Sequence, residues 1–150
     1  MQRVCSETRG NLSPDMAKKL LAAANASIVY PADGNVIGDW IKGQELAQRG
    51  TGGQFSDKAD TPKGANCYAC HQLSPGELSF GTLGPSLLEY GKIRKYKPEE
   101  AKAAYAKIYN AQVTQPCSYM PRFGANKFLD VQDIKNLTAY LFDPESPVNK

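Results

Sequence analysis

Histidine is nearly absent from this chain of 150 residues, in which His71 is the only one. A site that needs two imidazoles is therefore excluded. Long hydrophobic runs are absent too, and no stretch approaches the roughly 20 apolar residues of a membrane-spanning helix. The net charge is only +3, which is too small to predict binding to nucleic acid. No export signal or internal repeat stands out, so we expect a mature chain with one compact core.

The single histidine closes a short motif, Cys67-Tyr68-Ala69-Cys70-His71. The spacing C-x-x-C-H is typical of a covalent c-type haem, in which each thiol adds to one vinyl group and the imidazole binds the iron. A zinc site remains as an alternative, with Cys117 as a fourth ligand, although Cys70 and His71 are poorly placed to share one tetrahedral ion. A dithiol redox motif is the other alternative, but the residues before Cys67 predict a loop and not a strand.

Met120 is the predicted second ligand of the iron. Met1 is terminal and Met16 lies in an upstream helical stretch, whereas Met120 lies in a loop between two helical segments. Ligation by histidine and methionine raises the reduction potential and closes the iron to small molecules, which suits electron transfer. Two alternatives stay open. In the first, Met120 packs in the core and binds no iron. In the second, Cys117 is the sulfur ligand of the iron in place of Met120.

The pattern of apolar residues, caps and turn residues predicts helices and no strand. Ser13 and Pro14 are a favourable cap and first position for a helix, and Asp130 is a favourable cap for the last one. The predicted helices are 14–26, 39–47, 86–90, 98–110 and 131–141. Residues 1–12 are predicted to be irregular, and 50–63 and 81–85 to be loop and turn.

These elements predict an all-α fold, namely a class I cytochrome c-like helical domain around one covalent haem. Residues 1–35 are predicted to form an N-terminal extension with one helix, and residues 36–150 the haem domain. In this class the first and last core helices cross. We expect Gly43 to allow the close approach of its helix to the region of Tyr140.

Three further stretches carry a resemblance to a known family. They are residues 81–87 (GTLGPSL), residues 108–124 with IYNAQ and PCSYMPRFG, and residues 141–148 (LFDPESPV). Together with the haem motif they resemble SoxX, the small haem c subunit of the SoxAX cytochrome of bacterial thiosulfate oxidation. The resemblance covers roughly residues 64–148 and is most specific around the loop of Met120.

The resemblance implies a heterodimer with SoxA, a second haem c protein, in the periplasm. That complex, an L-cysteine S-thiosulfotransferase, joins thiosulfate oxidatively to a cysteine of the SoxYZ carrier. The bond-forming chemistry belongs to the SoxA haem, so no catalytic residue is expected in this non-catalytic subunit. It is expected to pass electrons to a soluble cytochrome c. By position, Cys67 and Cys70 would bind one haem c, and His71 and Met120 would ligate its iron.

Two other functions compete with this one. The first is a free-standing monomeric cytochrome c that shuttles electrons without a fixed partner. The second is a haem enzyme or gas sensor, which would need an open iron site. With the only histidine committed to iron, general base catalysis by imidazole is not available to this chain.

Two features outside the haem motif also yield predictions. Cys5 and Cys117 remain after haem attachment, and two spare cysteines in an oxidising compartment suggest a disulfide. Free or intersubunit cysteines are the alternatives. Residues 91–97 hold four cations in seven positions. They form either a solvated surface or a docking patch for an acidic partner.

Overall fold

The computed structural model describes residues 2–150, and this part of the chain contains six α-helices and three 3-10 turns. The helices are α1 (Gln2–Thr8), α2 (Pro14–Ala26), α3 (Trp40–Gln48), α4 (Tyr90–Ile93), α5 (Pro98–Tyr109) and α6 (Val131–Phe142). The 3-10 turns are Cys67–Ala69, Ala111–Val113 and Pro147–Asn149. Residues 2–150 contain no strand, so the predicted all-α class is confirmed.

The core forms where α3 crosses α6. The side chain of Asp39 caps α3 by accepting from the backbone N–H of Ile41 at 2.9 Å. At the start of α6, Asp130 and Asp133 cap each other's backbone N–H in a capping box, as the sequence predicted for Asp130. Gly43 of α3 lies against the backbone of α6, which confirms the predicted crossing of the first and last core helices.

One apolar cluster joins α3, α5 and α6. On α6 the members that are at most 3% exposed are Ile134, Leu137 and Tyr140. Partly buried side chains of the haem motif and of the predicted ligand loop, Cys67 and Met120, pack against the same cluster. The core therefore supports both halves of the predicted site.

The C-terminal residues close the core as well as ending the last helix. Ser146, Val148 and Asn149 are buried. The amide oxygen of Asn149 accepts from the backbone N–H of Gly91 at 2.9 Å, and its nitrogen donates to the carbonyl of Leu141 at 3.1 Å. This side chain ties α4 to the end of α6.

Helix α1 corrects one expectation. Residues 1–12 were predicted to be irregular, but α1 spans Gln2–Thr8, so the predicted extension contains two helices and not one. The reason is that α1 buries none of its side chains, and the sequence therefore carries no apolar stripe that would have announced it. Met1 lies outside the described residues.

The predicted short helix at residues 86–90 is also wrong. The helix begins only at Tyr90, because Glu89 has a left-handed backbone with φ of +53°. Leu87 is used differently, since its backbone N–H donates to the carbonyl of Gln72 at 2.8 Å. The segment before α4 thus packs against the haem motif instead of coiling on itself.

Across residues 2–150, we find no helix with the length and apolar character that crossing a bilayer requires.

Candidate functional site

The motif that ends in the single histidine folds into the 3-10 turn Cys67–Ala69. The carbonyl oxygen of Cys67 accepts from the backbone N–H of Cys70 at 3.1 Å and from that of His71 at 2.9 Å. This turn collects two thiols and one imidazole on one short segment, as the covalent attachment of a haem requires. Both cysteines are partly exposed and their thiols are free.

The ring of His71 has a fixed orientation. Its Nδ1 lies 2.7 Å from the carbonyl oxygen of Pro85. Because a carbonyl oxygen can only accept, this contact assigns the ring proton to Nδ1 and leaves the lone pair of Nε2 free. The imidazole is therefore prepared to bind a metal through Nε2, with the backbone of Pro85 as its outer partner.

Two glycines bring Pro85 to this position. The backbone N–H of Gly81 donates to the carbonyl of Tyr68, and that of Gly84 to the carbonyl of Cys70, both at 2.8 Å. A Cβ atom at Gly84 would overlap the ring of His71. The sequence predicted a turn at residues 81–85 and a family resemblance at residues 81–87, but it did not predict that these residues orient the histidine. The signal that pointed toward it was the G-x-x-G-P pattern shortly after the haem motif.

Met120 lies in a loop that begins after the turn Ala111–Val113, and we call residues 115–121 the Met120 loop. Its backbone N–H donates to the hydroxyl of Ser118 at 3.3 Å. The side chain is partly buried against the core cluster that also contacts Cys67. Met120 and the haem motif are therefore joined by one apolar cluster, while Met16 lies on α2.

Cys117 is bonded to Cys5, with Cα atoms 5.4 Å apart. The predicted intramolecular disulfide is therefore present. It excludes Cys117 as the soft iron ligand, and it removes the fourth ligand of the zinc alternative. No group of three or more histidine, cysteine or acidic side chains that could hold a metal ion occurs in the part of the chain that the structure describes.

These residues fit a covalently bound haem. The two thiols of Cys67 and Cys70 are free on one turn, and Nε2 of His71 has no competing partner in residues 2–150. Between His71 and Pro85, the chain exposes Leu78 completely and Leu83 to 75%. Large exposed apolar side chains are typical of a surface that a ligand or a partner covers.

Burial affects two polar groups at this site, namely the thiol of the partly exposed Cys67 and the hydroxyl of the buried Tyr140. Burial raises the pKa of the Cys67 thiol to about 12, and the neighbouring Cys70 thiol adds to the shift. Burial also raises the pKa of Tyr140 to about 12, with smaller contributions from Glu77 and Cys67. The hydroxyl of Tyr140 has no hydrogen-bond partner among the described residues. The interior beside Cys67 is thus an environment that disfavours charge.

The basic run at residues 91–97 is partly neutralised. Lys92 pairs with Glu89. Arg94 lies 3.5 Å from a carboxylate oxygen of Glu100, and its guanidinium carbon lies 3.5 Å from the centre of the Tyr90 ring. The two remaining cations, Lys95 and Lys97, are exposed and form no ion pair within residues 2–150. Of the run that was predicted to be either a solvated surface or a docking patch, these two lysines remain without an ion pair among the described residues.

Comparison with known protein families shows that residues 42–143 match a family model described as cytochrome c. The chain is also similar to a protein of Aquifex aeolicus (strain VF5) named "Uncharacterized lipoprotein", with 45% identity over 127 residues. The aligned region is 83% of this chain and 59% of that relative. The chain thus spans less than two thirds of the length of the relative that it matches.

Proposed function

This chain belongs to the cytochrome c family, and from that premise we propose that it is the electron-transfer subunit of a thiosulfate-oxidising complex, in the role of SoxX beside SoxA. The family implies a covalently bound haem c and a function in electron transfer. The finer assignment is supported by the three stretches that resemble SoxX, at residues 81–87, 108–124 and 141–148.

We propose that Cys67 and Cys70 form the two thioether bonds, that His71 is one axial ligand and that Met120 is the other. The observation that carries this assignment is the hydrogen bond between Nδ1 of His71 and the carbonyl of Pro85 at 2.7 Å. It fixes the tautomer whose Nε2 can bind iron. Packing of Cys67 and Met120 on one core cluster supports the second ligand.

A bound haem supplies a one-electron change at its iron. The chain's own contribution is to hold its ligands still, so that little rearrangement accompanies that change. The Pro85 carbonyl keeps the proton on Nδ1 of His71, and the backbone N–H groups of Gly81 and Gly84 hold the loop that carries Pro85. As a ligand of a bound haem, the neutral thioether of Met120 would favour the reduced form relative to an anionic ligand.

We infer that this chain does not carry out group transfer without a partner. The only histidine is used as a ligand in this proposal, so no imidazole is left as a general base. The conjugation of thiosulfate to a cysteine of SoxYZ would therefore occur on the SoxA subunit. This subunit would receive the electrons and pass them to a soluble cytochrome c.

We propose the periplasm as the location. The Cys5–Cys117 disulfide supports it, because disulfides persist mainly in oxidising compartments. The word lipoprotein in the name of the Aquifex aeolicus relative agrees with a place outside the cytoplasm. We also propose a division into an extension at residues 1–35 and a haem domain at residues 36–150, which would contain the whole family match.

Purification from the native organism under mild salt tests the partner. A larger haem c protein at a one-to-one ratio, together with reduction of this haem by thiosulfate and SoxYZ, is the expected result. A SoxYZ preparation whose carrier cysteine is alkylated is the matched control and should give no reduction. A lone 16.3 kDa cytochrome that thiosulfate fails to reduce would instead identify the free-standing electron shuttle.

A further inference from the structure

The Met120 loop has few ties to the rest of the protein. Within the described chain, the hydrogen bonds of residues 115–121 are internal to the loop, from Ser118 N–H to the Gln115 carbonyl at 3.2 Å and from Met120 N–H to the Ser118 hydroxyl at 3.3 Å. Cys117 has a left-handed backbone with φ of +60°. The disulfide at Cys117 and the packing of the partly buried Met120 side chain link the loop to the rest of the protein.

The segment around Cys5, at the other end of the disulfide, also forms hydrogen bonds mainly within itself. Helix α1 buries no side chain. Across the described part of residues 1–12, the hydrogen bonds stay inside the segment, as when Gly10 N–H donates to the carbonyl of Cys5 at 3.0 Å. Among the described residues, no hydrogen bond or ion pair therefore joins this segment to the Met120 loop.

Helix α2 is firmly attached at the base of the Met120 loop. The side chain of Asn25 donates to the carbonyl of Val113 at 3.1 Å. Ala24 is fully buried in a small cluster with Val113. The chain thus leaves an anchor beside Val113, turns back through α1, and returns by the disulfide to Cys117. The disulfide and the contact of α2 with Val113 thus connect the N-terminal segment to the start of the loop at two points.

We propose that the Cys5–Cys117 disulfide is a redox-sensitive tether that positions Met120, so that a dithiol reductant loosens the loop and weakens the bond from Met120 to iron. The proposal rests on the proposed role of Met120 as an axial ligand. The physical reason is that a segment with only internal hydrogen bonds opens at low cost unless a covalent bond restrains it. Cys5 and Cys117 thus act as positioning residues.

The chemistry is thiol–disulfide exchange. The bond between the two Sγ atoms breaks, and each sulfur gains one electron and one proton. A dithiol supplies the two electrons and the two protons and is itself oxidised to a cyclic disulfide. Both cysteines are partly exposed, so a reductant can reach them. Thioether bonds at Cys67 and Cys70 are carbon–sulfur bonds, which this exchange does not cleave, so the haem stays attached.

The test uses the haem-loaded protein in three forms. They are the oxidised wild type, the wild type reduced with dithiothreitol and then alkylated with iodoacetamide, and the Cys5→Ala/Cys117→Ala double variant. The readouts are the far-red thioether-to-iron band of the ferric protein during heating and the rate of carbon monoxide binding to the ferrous protein. The Ser146→Ala variant is the control, because the buried hydrogen bond of Ser146 to the carbonyl of Tyr140 involves no residue of the loop.

In both tether-free forms we expect the band to disappear at a lower temperature than in the wild type, while helical circular dichroism persists. Carbon monoxide binding should accelerate by about tenfold or more, because local opening limits access to the iron. Ser146→Ala should lose band and helix together. Equal bands and equal rates in tethered and tether-free protein would overturn the proposal. A wild type without the band would overturn Met120 ligation itself, and the tether with it.

Discussion

Gly43 of α3 and Asn136 of α6 meet backbone to backbone. A Cβ atom at Gly43 would overlap the carbonyl oxygen of Asn136 and would come within 2.8 Å of the Cβ atom of Tyr140. Asn136 strengthens the crossing, because its side-chain oxygen accepts from the backbone N–H of Asp39 at 3.0 Å. The crossing fixes Tyr140 in the apolar cluster against which Cys67 also packs.

Replacing Gly43 by leucine should separate α3 from α6. We expect the free energy of unfolding to fall by about 1–3 kcal/mol or more, because overpacking against a backbone has little room to relax. Urea unfolding followed by circular dichroism measures it. Gly76→Ala is the matched control, since a Cβ there meets no atom within 4 Å. A Gly43→Leu protein as stable as the control would contradict the close crossing.

Replacing Met120 by alanine should open the iron. The reduction potential is expected to fall, the far-red band to vanish and carbon monoxide to bind, because water or an empty position takes the place of the neutral thioether. Met16→Ala supplies the control, since Met16 lies on α2 and is also partly buried. Redox titration with optical spectroscopy reads both variants. An unchanged band in Met120→Ala would refute the ligand assignment.

Tyr105 and Tyr140 should make the protein sensitive to alkali. Burial raises the pKa of each to about 12, above the usual value near 10. Between these values the unfolded phenol ionises while the folded one keeps its proton. The contribution of each buried phenol to the free energy of unfolding is therefore fully present below about pH 10. Above that pH the free energy of unfolding falls by about 1.4 kcal/mol per pH unit for each tyrosine. Unfolding curves measured between pH 8 and pH 11, in steps of about one unit, test this slope.

Phenylalanine variants separate the two tyrosines. Each should make the alkaline slope shallower. At neutral pH they should differ, because the Tyr105 hydroxyl donates to the carbonyl of Val29 at 2.8 Å whereas that of Tyr140 has no partner in the described chain. Tyr105→Phe should cost about 1 kcal/mol, and Tyr140→Phe close to nothing. Equal losses at neutral pH, or unchanged slopes, would show that the two environments are not as described.

The disulfide should also stabilise the whole fold. Its partners are 112 residues apart, and a loop of that size is worth about 4–5 kcal/mol in the chain-entropy model, often less in practice. The Cys5→Ala/Cys117→Ala variant should lose that stability in urea unfolding. Thiol titration of the unfolded, unreduced holoprotein gives an independent check, because no free thiol is expected. Two free thiols would contradict the bond.

The sequence predicted those helices whose start and buried face depend on local residues alone. The Ser13–Pro14 start of α2 and the Asp130 start of α6 could be read from the sequence, since caps and periodic apolar residues suffice there. Helix α1 could not, because it buries no side chain and is joined to the body through Cys5. The turn before α4 could not either, because Glu89 has a left-handed backbone and its N–H donates to the carbonyl of Val148, which is distant in the sequence.

The candidate site was predictable to a different degree. The attachment turn follows from C-x-x-C-H alone. The partner of His71 does not, since a main-chain carbonyl has no residue type of its own and becomes an acceptor only through the path of the loop. Gly84 is the trace that this path leaves in the sequence, because a side chain there would overlap the imidazole. Ligation by Met120 stays a prediction.

The hydrogen bond that orients His71 ends on main-chain oxygen. No change of side chain at position 85 can delete that oxygen, so ordinary substitutions there are expected to leave the histidine tautomer intact. The position that is sensitive to substitution is Gly84, one residue earlier, because any added side-chain carbon there would overlap the ring of His71. Inherited variation should consequently be tolerated at the residue that makes the contact and penalised at its neighbour, the reverse of what a contact map would suggest.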